Sequence, residues 1–248
     1  MGKKKALLVF SIYCLIIAAW FSVSLPRQLP VELINCSSDG EEEEKIIYLT
    51  FDDGPGKYTP KLLDILKKYD VKATFFVVNT KYVDTLTRIA QEGHAIGIHS
   101  MTHNYAQLYA GEDAYLDDLY QMQQVIYEYT GITTTMLRFP GGSSNTASRK
   151  YSPGLMTRLT KLVEDLGLQY FDWNVASCDT NDSNTALKVL RQVVRGVSGK
   201  NCAVVLQHDT LSHSVNAVEH IIVWGLENGY TFLPLEPDSP GCHHKVSN

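Results

Sequence analysis

From Lys45 onward, short runs of strand-forming residues alternate strictly with runs of helical spacing, and this alternation constrains the fold more than any other feature of the chain. Strand-like stretches fall at residues 46–51, 73–78, 95–98, 136–139, 169–175, 202–207 and 230–233. Helical patterns lie between them. The first begins near Thr59-Pro60, a cap and first-turn pair, and the others cover 82–91, 113–129, 153–166, 185–197 and 215–226. Gly93, Gly131, Gly167, Gly199 and Gly229 stand where five of these helices should stop. A strand that re-enters its sheet through a crossover helix runs parallel to the strand before it. Seven such units predict an α/β domain with a single parallel, barrel-like (β/α)7 sheet, a distorted TIM-type barrel.

The domain is predicted over residues 45–235. Residues 236–248, with Pro237, Pro240 and Gly241, read as a loosely ordered tail. Ahead of the domain, Lys3, Lys4 and Lys5 precede an uncharged apolar run, and residues 1–25 read as a transmembrane signal anchor of about bilayer length. The lysines should stay in the cytoplasm, which places the rest of the chain outside the membrane. Cleavage near Ser24 is the alternative, and would release the domain. Residues 26–44 end in Glu41, Glu42, Glu43 and Glu44 and read as a solvated acidic linker. A net charge of -5 argues against a nucleic-acid partner. Cys14 lies in the anchor, while Cys36, Cys178, Cys202 and Cys242 have no CxxC spacing, against a structural zinc site. Oligomeric state is not legible from the chain.

In parallel barrels, function gathers at the C-terminal ends of the strands. Here those ends carry Asp52-Asp53, then His99-Ser100-Met101-Thr102-His103, then Arg138-Phe139-Pro140-Gly141-Gly142, then Asp172-Trp173-Asn174, then His208-Asp209. Asp-Asp-Gly-Pro alone would serve as turn chemistry. Ionisable or polar groups at five of seven strand ends favour a site instead. His99 and His103 are spaced to reach one point from a single turn, without the glutamate of a HExxH motif. Two imidazoles and one carboxylate leave a coordination position for water, the pattern of a catalytic zinc site. A second aspartate is then free to take a proton. A glycosidase pair would have to flank one bond from separated positions, which suits adjacent residues less well.

Taken together, Thr50-Phe51-Asp52-Asp53-Gly54, the His99–His103 segment, Arg138-Phe139-Pro140-Gly141, Asp172-Trp173 and Leu206-Gln207-His208-Asp209 resemble the five motifs of the polysaccharide deacetylases, the NodB-like domain of carbohydrate esterase family 4. The resemblance covers about residues 45–235. It implies Asp52 as general base, and Asp53, His99 and His103 as ligands of one divalent metal, zinc first, with cobalt, nickel and manganese as alternatives. It implies Arg138 as the partner of Asp52, His208 as general acid and Asp172 as the residue that orients His208. Trp173 and Leu206 would wall an acetyl pocket, and a backbone N–H near Gly141 would face the oxyanion. The implied reaction removes N-acetyl groups from N-acetylglucosamine-type residues of cell-wall polysaccharide, peptidoglycan above all. An O-acetyl (xylan) esterase and a non-catalytic carbohydrate-binding relic are the competing readings. Two departures bear on substrate: Gly141-Gly142 follows Pro140 where the family usually has an aromatic residue, and Gln207 precedes the histidine. Outside the motifs, His94 reads as structural and Asp209 as a loop brace. His213 and His220 need no role, and His243-His244 reads as a surface pair. Tyr105, Tyr109 and Tyr151 read as packing residues with stacking on sugar as the alternative.

Overall fold

The structure, a computed structural model, describes residues 44–180 and 185–246. Among these, eight strands form one sheet: β1 (Lys45–Gly54), β2 (Thr74–Val78), β3 (Ala95–Ser100), β4 (Met136–Leu137), β5 (Gln169–Tyr170), β6 (Val175–Ala176), β7 (Cys202–His208) and β8 (Tyr230–Phe232). The helices are α1 (Thr59–Lys68), α2 (Thr85–Gln91), α3 (Tyr105–Leu108), α4 (Glu112–Thr130), α5 (Leu155–Asp165), α6 (Ala186–Val197) and α7 (Ser212–Glu227), with a 3-10 turn at Ala147–Lys150. The strand order is β5-β4-β3-β2-β1-β7-β6, with β8 paired to the start of β1. Every pairing is parallel, as the alternation predicts.

β1 is the hub, bonded to β2, β7 and β8. Its odd residues Ile47, Leu49 and Phe51 pack into the large core under the helices. Tyr48 faces the other way, into a small cluster with Phe76, Met136, Phe171, Val204 and Leu235. Period two then carries Thr50 and Asp52 up that same inner face, from apolar floor to polar rim. A filled interior with chemistry above it is the arrangement of a parallel barrel.

Two expectations change. The fifth strand, expected as one run over 169–175, is two short strands: β5 pairs β4, and β6 pairs β7. The sheet is therefore open between them, and the barrel is incomplete. The apolar alternation does not mark the break: Phe171, Trp173 and Val175 keep a strand's period of two across Asp172 and Asn174 while the hydrogen bonds change partners. The Asp172 N–H goes to the Cys242 carbonyl (2.7 Å) and the Asn174 N–H to Val204 (3.1 Å). The tail, expected to be loose from its Pro and Gly content, docks into this gap. His243 stacks on Tyr170 with ring centroids 3.9 Å apart, and the His244 N–H donates to the Asp172 carboxylate (2.7 Å). Specific side-chain partners override composition here.

Among the described residues, no helix is long and apolar enough to cross a membrane. The anchor at 1–25, and all of the 26–44 linker except Glu44, lie outside the described residues. Cys178, Cys202 and Cys242 are free thiols.

Candidate active site

Asp52 and Asp53 follow one another in β1 yet serve one site, because the β1–β2 register shifts between Asp52 and Gly54. Such a bulge re-aims a side chain that regular alternation would send to the far face. Asp53 takes a left-handed backbone, φ +68°, and His103 another, φ +49°. Non-glycine residues in that region carry local strain, which concentrates at functional sites. Gly54 is required as well: a Cβ there would stand 2.2 Å from the carboxylate oxygens of Asp209.

His99 leaves the end of β3, where the β2–β3 register also slips. Its Nδ1–H donates to the Arg138 carbonyl (2.8 Å), which leaves Nε2 as the acceptor facing the site. Burial pushes the His99 imidazole below its ordinary pKa, against the opposing pull of Asp52 and Asp53. The segment from His99 to His103 is held from outside by Asp118 of α4. Its carboxylate accepts the N–H groups of Met101 (2.6 Å) and Thr102 (3.1 Å) and the Thr102 hydroxyl (2.8 Å). Sequence reasoning missed Asp118, although a signal existed: it is an acid on the apolar stripe of α4 formed by Tyr115, Leu119, Met122 and Ile126.

Asp53 Oδ1 stands 3.4 Å from His99 Nε2 and 3.2 Å from His103 Nε2. These three ligand atoms lie within 4.8 Å of one another. Asp53 Oδ1 is buried and has no hydrogen-bond partner among the described residues. A buried carboxylate oxygen left without a donor is costly, and one aimed at two imidazole nitrogens fits a divalent cation with mixed nitrogen and oxygen ligands. The residues present fit the group.

Asp52, 3 % exposed, is held by Arg138, which is fully buried. Arg138 Nη1 donates to Asp52 (2.8 Å) and to the Thr50 hydroxyl (2.7 Å), Nε to the Phe171 carbonyl (2.9 Å) and Nη2 to the Asp172 carbonyl (2.9 Å). Its guanidinium also lies 4.2 Å from the centre of the Phe76 ring. One cation thus ties β1 to the 171–172 segment and satisfies a buried acid.

Asp172 does not touch His208, contrary to the expectation. Its carboxylate accepts the Ser143 N–H (2.8 Å), the Ser143 hydroxyl and the His244 N–H (2.7 Å), joining the loop after β4 to the tail. The place beside His208 belongs to Asp179, beyond β6. Asp179 Oδ1 accepts from His208 Nδ1 (2.9 Å) and Oδ2 from the His208 N–H (2.7 Å), while His213 Nε2–H donates to the Asp179 carbonyl (2.6 Å). His213, given no role from sequence, therefore braces this pair. Burial would lower the His208 imidazole. The hydrogen bond and charge of Asp179, with Asp52 and Asp53 beyond, outweigh it and carry the group to about 9. Its Nε2 lies 3.8 Å from Asp53 Oδ2.

Gly141 and Gly142 both adopt φ +78°. A Cβ on Gly141 would lie 2.7 Å from the Tyr105 hydroxyl, so the missing aromatic wall is also a conformational need. Gly142 N–H bonds Phe139 (2.7 Å), and Gly141 N–H has no partner among the described residues. Trp173 packs against the inner cluster, Gly142 and His244, and Leu206, half-buried, precedes His208 by one same-face position on β7. Asp209 braces the β1–α1 loop through the Thr59 hydroxyl, as expected. Tyr109 is buried and donates to Pro140 (2.7 Å), a packing role. His94 is buried and accepts the Ala73 N–H (3.2 Å), also structural.

With this geometry in place, comparison with known proteins is specific. The family model described as polysaccharide deacetylase matches residues 39–157. A peptidoglycan-N-acetylglucosamine deacetylase of Bacillus cereus is 37% identical over 80% of this chain and 72% of its own length. The crystal structure of the catalytic domain of a peptidoglycan N-acetylglucosamine deacetylase from Eubacterium rectale is 52% identical, covers 86% of this chain and 99% of that one, and superposes with a TM-score of 0.82. A more distant likeness is a family 4 acetyl xylan esterase from Clostridium thermocellum solved with cobalt, 27% identical over 77% of this chain and 88% of that one, with a TM-score of 0.60. The motif residues, the parallel sheet that gathers them and these relatives agree: the chain belongs to the polysaccharide deacetylase family.

Proposed function

We propose that the chain is a metal-dependent hydrolase that removes N-acetyl groups from N-acetylglucosamine-type residues of cell-wall polysaccharide, with peptidoglycan as the polymer. The observation that carries this is the orphaned Asp53 Oδ1 between two imidazole nitrogens, beside a separately held acid and a histidine that retains its proton. Asp53, His99 and His103 would hold the cation, and zinc suits this donor set best, ahead of cobalt, nickel or manganese. A cation there supplies an acidified water and a polarised acetyl carbonyl. Asp52, fixed by Arg138, accepts the proton of the attacking water. The Gly141 N–H donates to the developing oxyanion. His208, kept charged by Asp179, delivers a proton to the leaving nitrogen. Asp172 holds Ser143 and so positions the Gly141-Gly142 turn, and Leu206 and Trp173 wall the acetyl pocket. The lysine-led apolar run at 1–25 supports an extracytoplasmic domain tethered beside the wall.

Acetate release from N-acetylglucosamine oligomers and from purified peptidoglycan tests the reading, after chelation and again after zinc or cobalt is added. Restoration by metal is the expected result. Release from acetylated xylan alone would move the leaving group from nitrogen to oxygen. Asp52→Asn should abolish turnover while bound metal is retained; a variant that loses its metal would show that the two acids have exchanged roles.

A further inference from the structure

Four Lys-Tyr pairs occur in the chain: Lys57-Tyr58, Lys68-Tyr69, Lys81-Tyr82 and Lys150-Tyr151. In each, the ammonium lies over the ring of its own neighbour, at 5.5, 5.0, 5.2 and 5.7 Å from the centroid in that order. Lys68-Tyr69 closes α1 at the end of the strands away from the site, and it is tied to α7. There Lys68 Nζ bonds Glu219 (2.5 Å) and the Tyr69 hydroxyl donates to the same carboxylate (2.9 Å). That pair is structural. The other three sit in the connections that follow β1, β2 and β4, on the rim that carries the site. Lys57, Lys81 and Lys150 are exposed, and none has an acidic partner within ion-pair distance among the described residues. In a chain of net charge -5, three unpaired ammonium groups on one rim run against the overall balance.

The three loops are joined to the catalytic segments. Thr80 of the second donates to the Pro55 carbonyl of the first (2.6 Å). Thr59, at the end of the first, binds both Gly56 N–H (2.7 Å) and Asp209 beside His208. In the third, Asn145 bridges the Gly142 carbonyl (2.8 Å) and the Ser148 N–H (3.1 Å). A ring held in place by its own cation offers a flat face for a sugar, and the cation stays available for an anion.

We propose that Lys57-Tyr58, Lys81-Tyr82 and Lys150-Tyr151 form a recognition rim for a carboxylate-bearing glycan and set the chain's preference for anionic over neutral polymer. This deepens the deacetylase reading and rests on it for the site that the rim surrounds. Tyr58 also packs on the core, so its ring is a fixed platform, whereas Tyr82 and the exposed Tyr151 are free to be tested by removal.

The test is calorimetric binding of soluble peptidoglycan glycan fragments to the full chain, with the glycan carboxylates free or capped as methylamides. The unsubstituted chain should bind the free-carboxylate form about tenfold more tightly at low salt, three exposed ion pairs acting together. The triple variant K57Q/K81Q/K150Q should lose that ratio, and added salt should erode it in the parent. Y82A/Y151A should weaken both forms alike. A parent that does not distinguish the two forms, or a triple variant that keeps the full ratio, overturns the proposal. Acetate release, followed in parallel, reports on the deacetylase reading separately. A charge-dependent ratio without release would leave the rim standing and sink the activity.

Discussion

Asp179 and His208 form the pair that would carry acid catalysis in the proposed reaction, and their arrangement makes a prediction that separates Asp179 from Asp172. Burial pulls the His208 imidazole down, and Asp179 more than reverses this, holding the group near 9. With Asp179→Asn the charge disappears while burial remains, so His208 should lose its proton at lower pH. The alkaline limb of the kcat/KM profile should move down by at least about one pH unit, with kcat/KM reduced roughly 10- to 100-fold at neutral pH. Asp172→Asn, whose carboxylate faces Ser143 and His244 instead, should leave that limb in place. An alkaline limb that moved with Asp172 and not with Asp179 would restore the expectation drawn from sequence. Arg138 carries a second residue-scale prediction. Replacing it by Met leaves the buried Asp52 charge without its cation, a loss of about 3–5 kcal/mol, to be read as a lower urea midpoint together with lost turnover.

Among the elements, the docked tail has the largest effect on the site for its length. His244 and Cys242 supply backbone partners to Asp172, and His244 Nε2–H donates to the Trp173 carbonyl (2.6 Å). Truncation after Pro240 should strip one donor from the fully buried Asp172 carboxylate, the acceptor from its backbone N–H and the donor from the Trp173 carbonyl, at a cost of about 1–3 kcal/mol for each buried group left unpaired. The checks are the urea midpoint and a kcat lowered through a loosened Gly141-Gly142 turn; an unchanged midpoint would make the tail dispensable. This is also where the sequence was least legible. β1, β2 and β7 could be read because their strand-like runs are long, and the shorter Ala95–Ile98 run of β3 could be read from its place in the alternation, just after the helix stop at Gly93. The clustering of Asp53, His99 and His103 could be read because the spacing of the histidines within a turn and the place of all three at strand ends are local signals. In residues 171–174 the turn-favouring Asp172 and Asn174 alternate with Phe171 and Trp173, so they read as the polar face of one strand and the exchange of partners that splits β5 from β6 was masked. Asp179, lying beyond that break, was hidden with it, and Asp172, inside the break, was given its role by the resemblance. Asp118 was hidden differently, as one polar residue on an otherwise apolar helix face.

For the whole molecule, two buried groups outside the proposed catalytic set, with opposite shifts, add to the pH dependence of stability in the chelated protein. Burial, aided by the charge of Lys72, lowers the His94 imidazole from its ordinary 6.5 to about 4. The unfolded chain therefore takes up a proton near pH 6.5 that the folded chain refuses until about pH 4. Stability from this group is complete above 6.5 and falls as pH drops toward 4, by roughly 3 kcal/mol in all. Burial raises the Asp209 carboxyl from 3.8 to about 7, and the sign reverses. Its contribution is complete below 3.8 and is lost as pH rises through 7, where a charge must be kept in a dry site beside Gly54. The windows overlap, about 4 to 6.5 for His94 and 3.8 to about 7 for Asp209, so in the parent the two slopes oppose each other and largely cancel. Single substitutions should expose them in urea midpoints collected from pH 4 to 8. His94→Gln keeps an acceptor for the Ala73 N–H but does not titrate, so it should leave the Asp209 loss unopposed, with a midpoint that falls as pH rises from about 4 to 7. Asp209→Asn can still accept from Thr59 and should leave the His94 gain unopposed, with a midpoint that rises from about pH 4 to 6.5 and a variant more stable than the parent at pH 8 relative to pH 5. If both substitutions shifted the whole curve and neither variant gained its slope, the titrations would belong to other groups, and the buried pair would count only for packing.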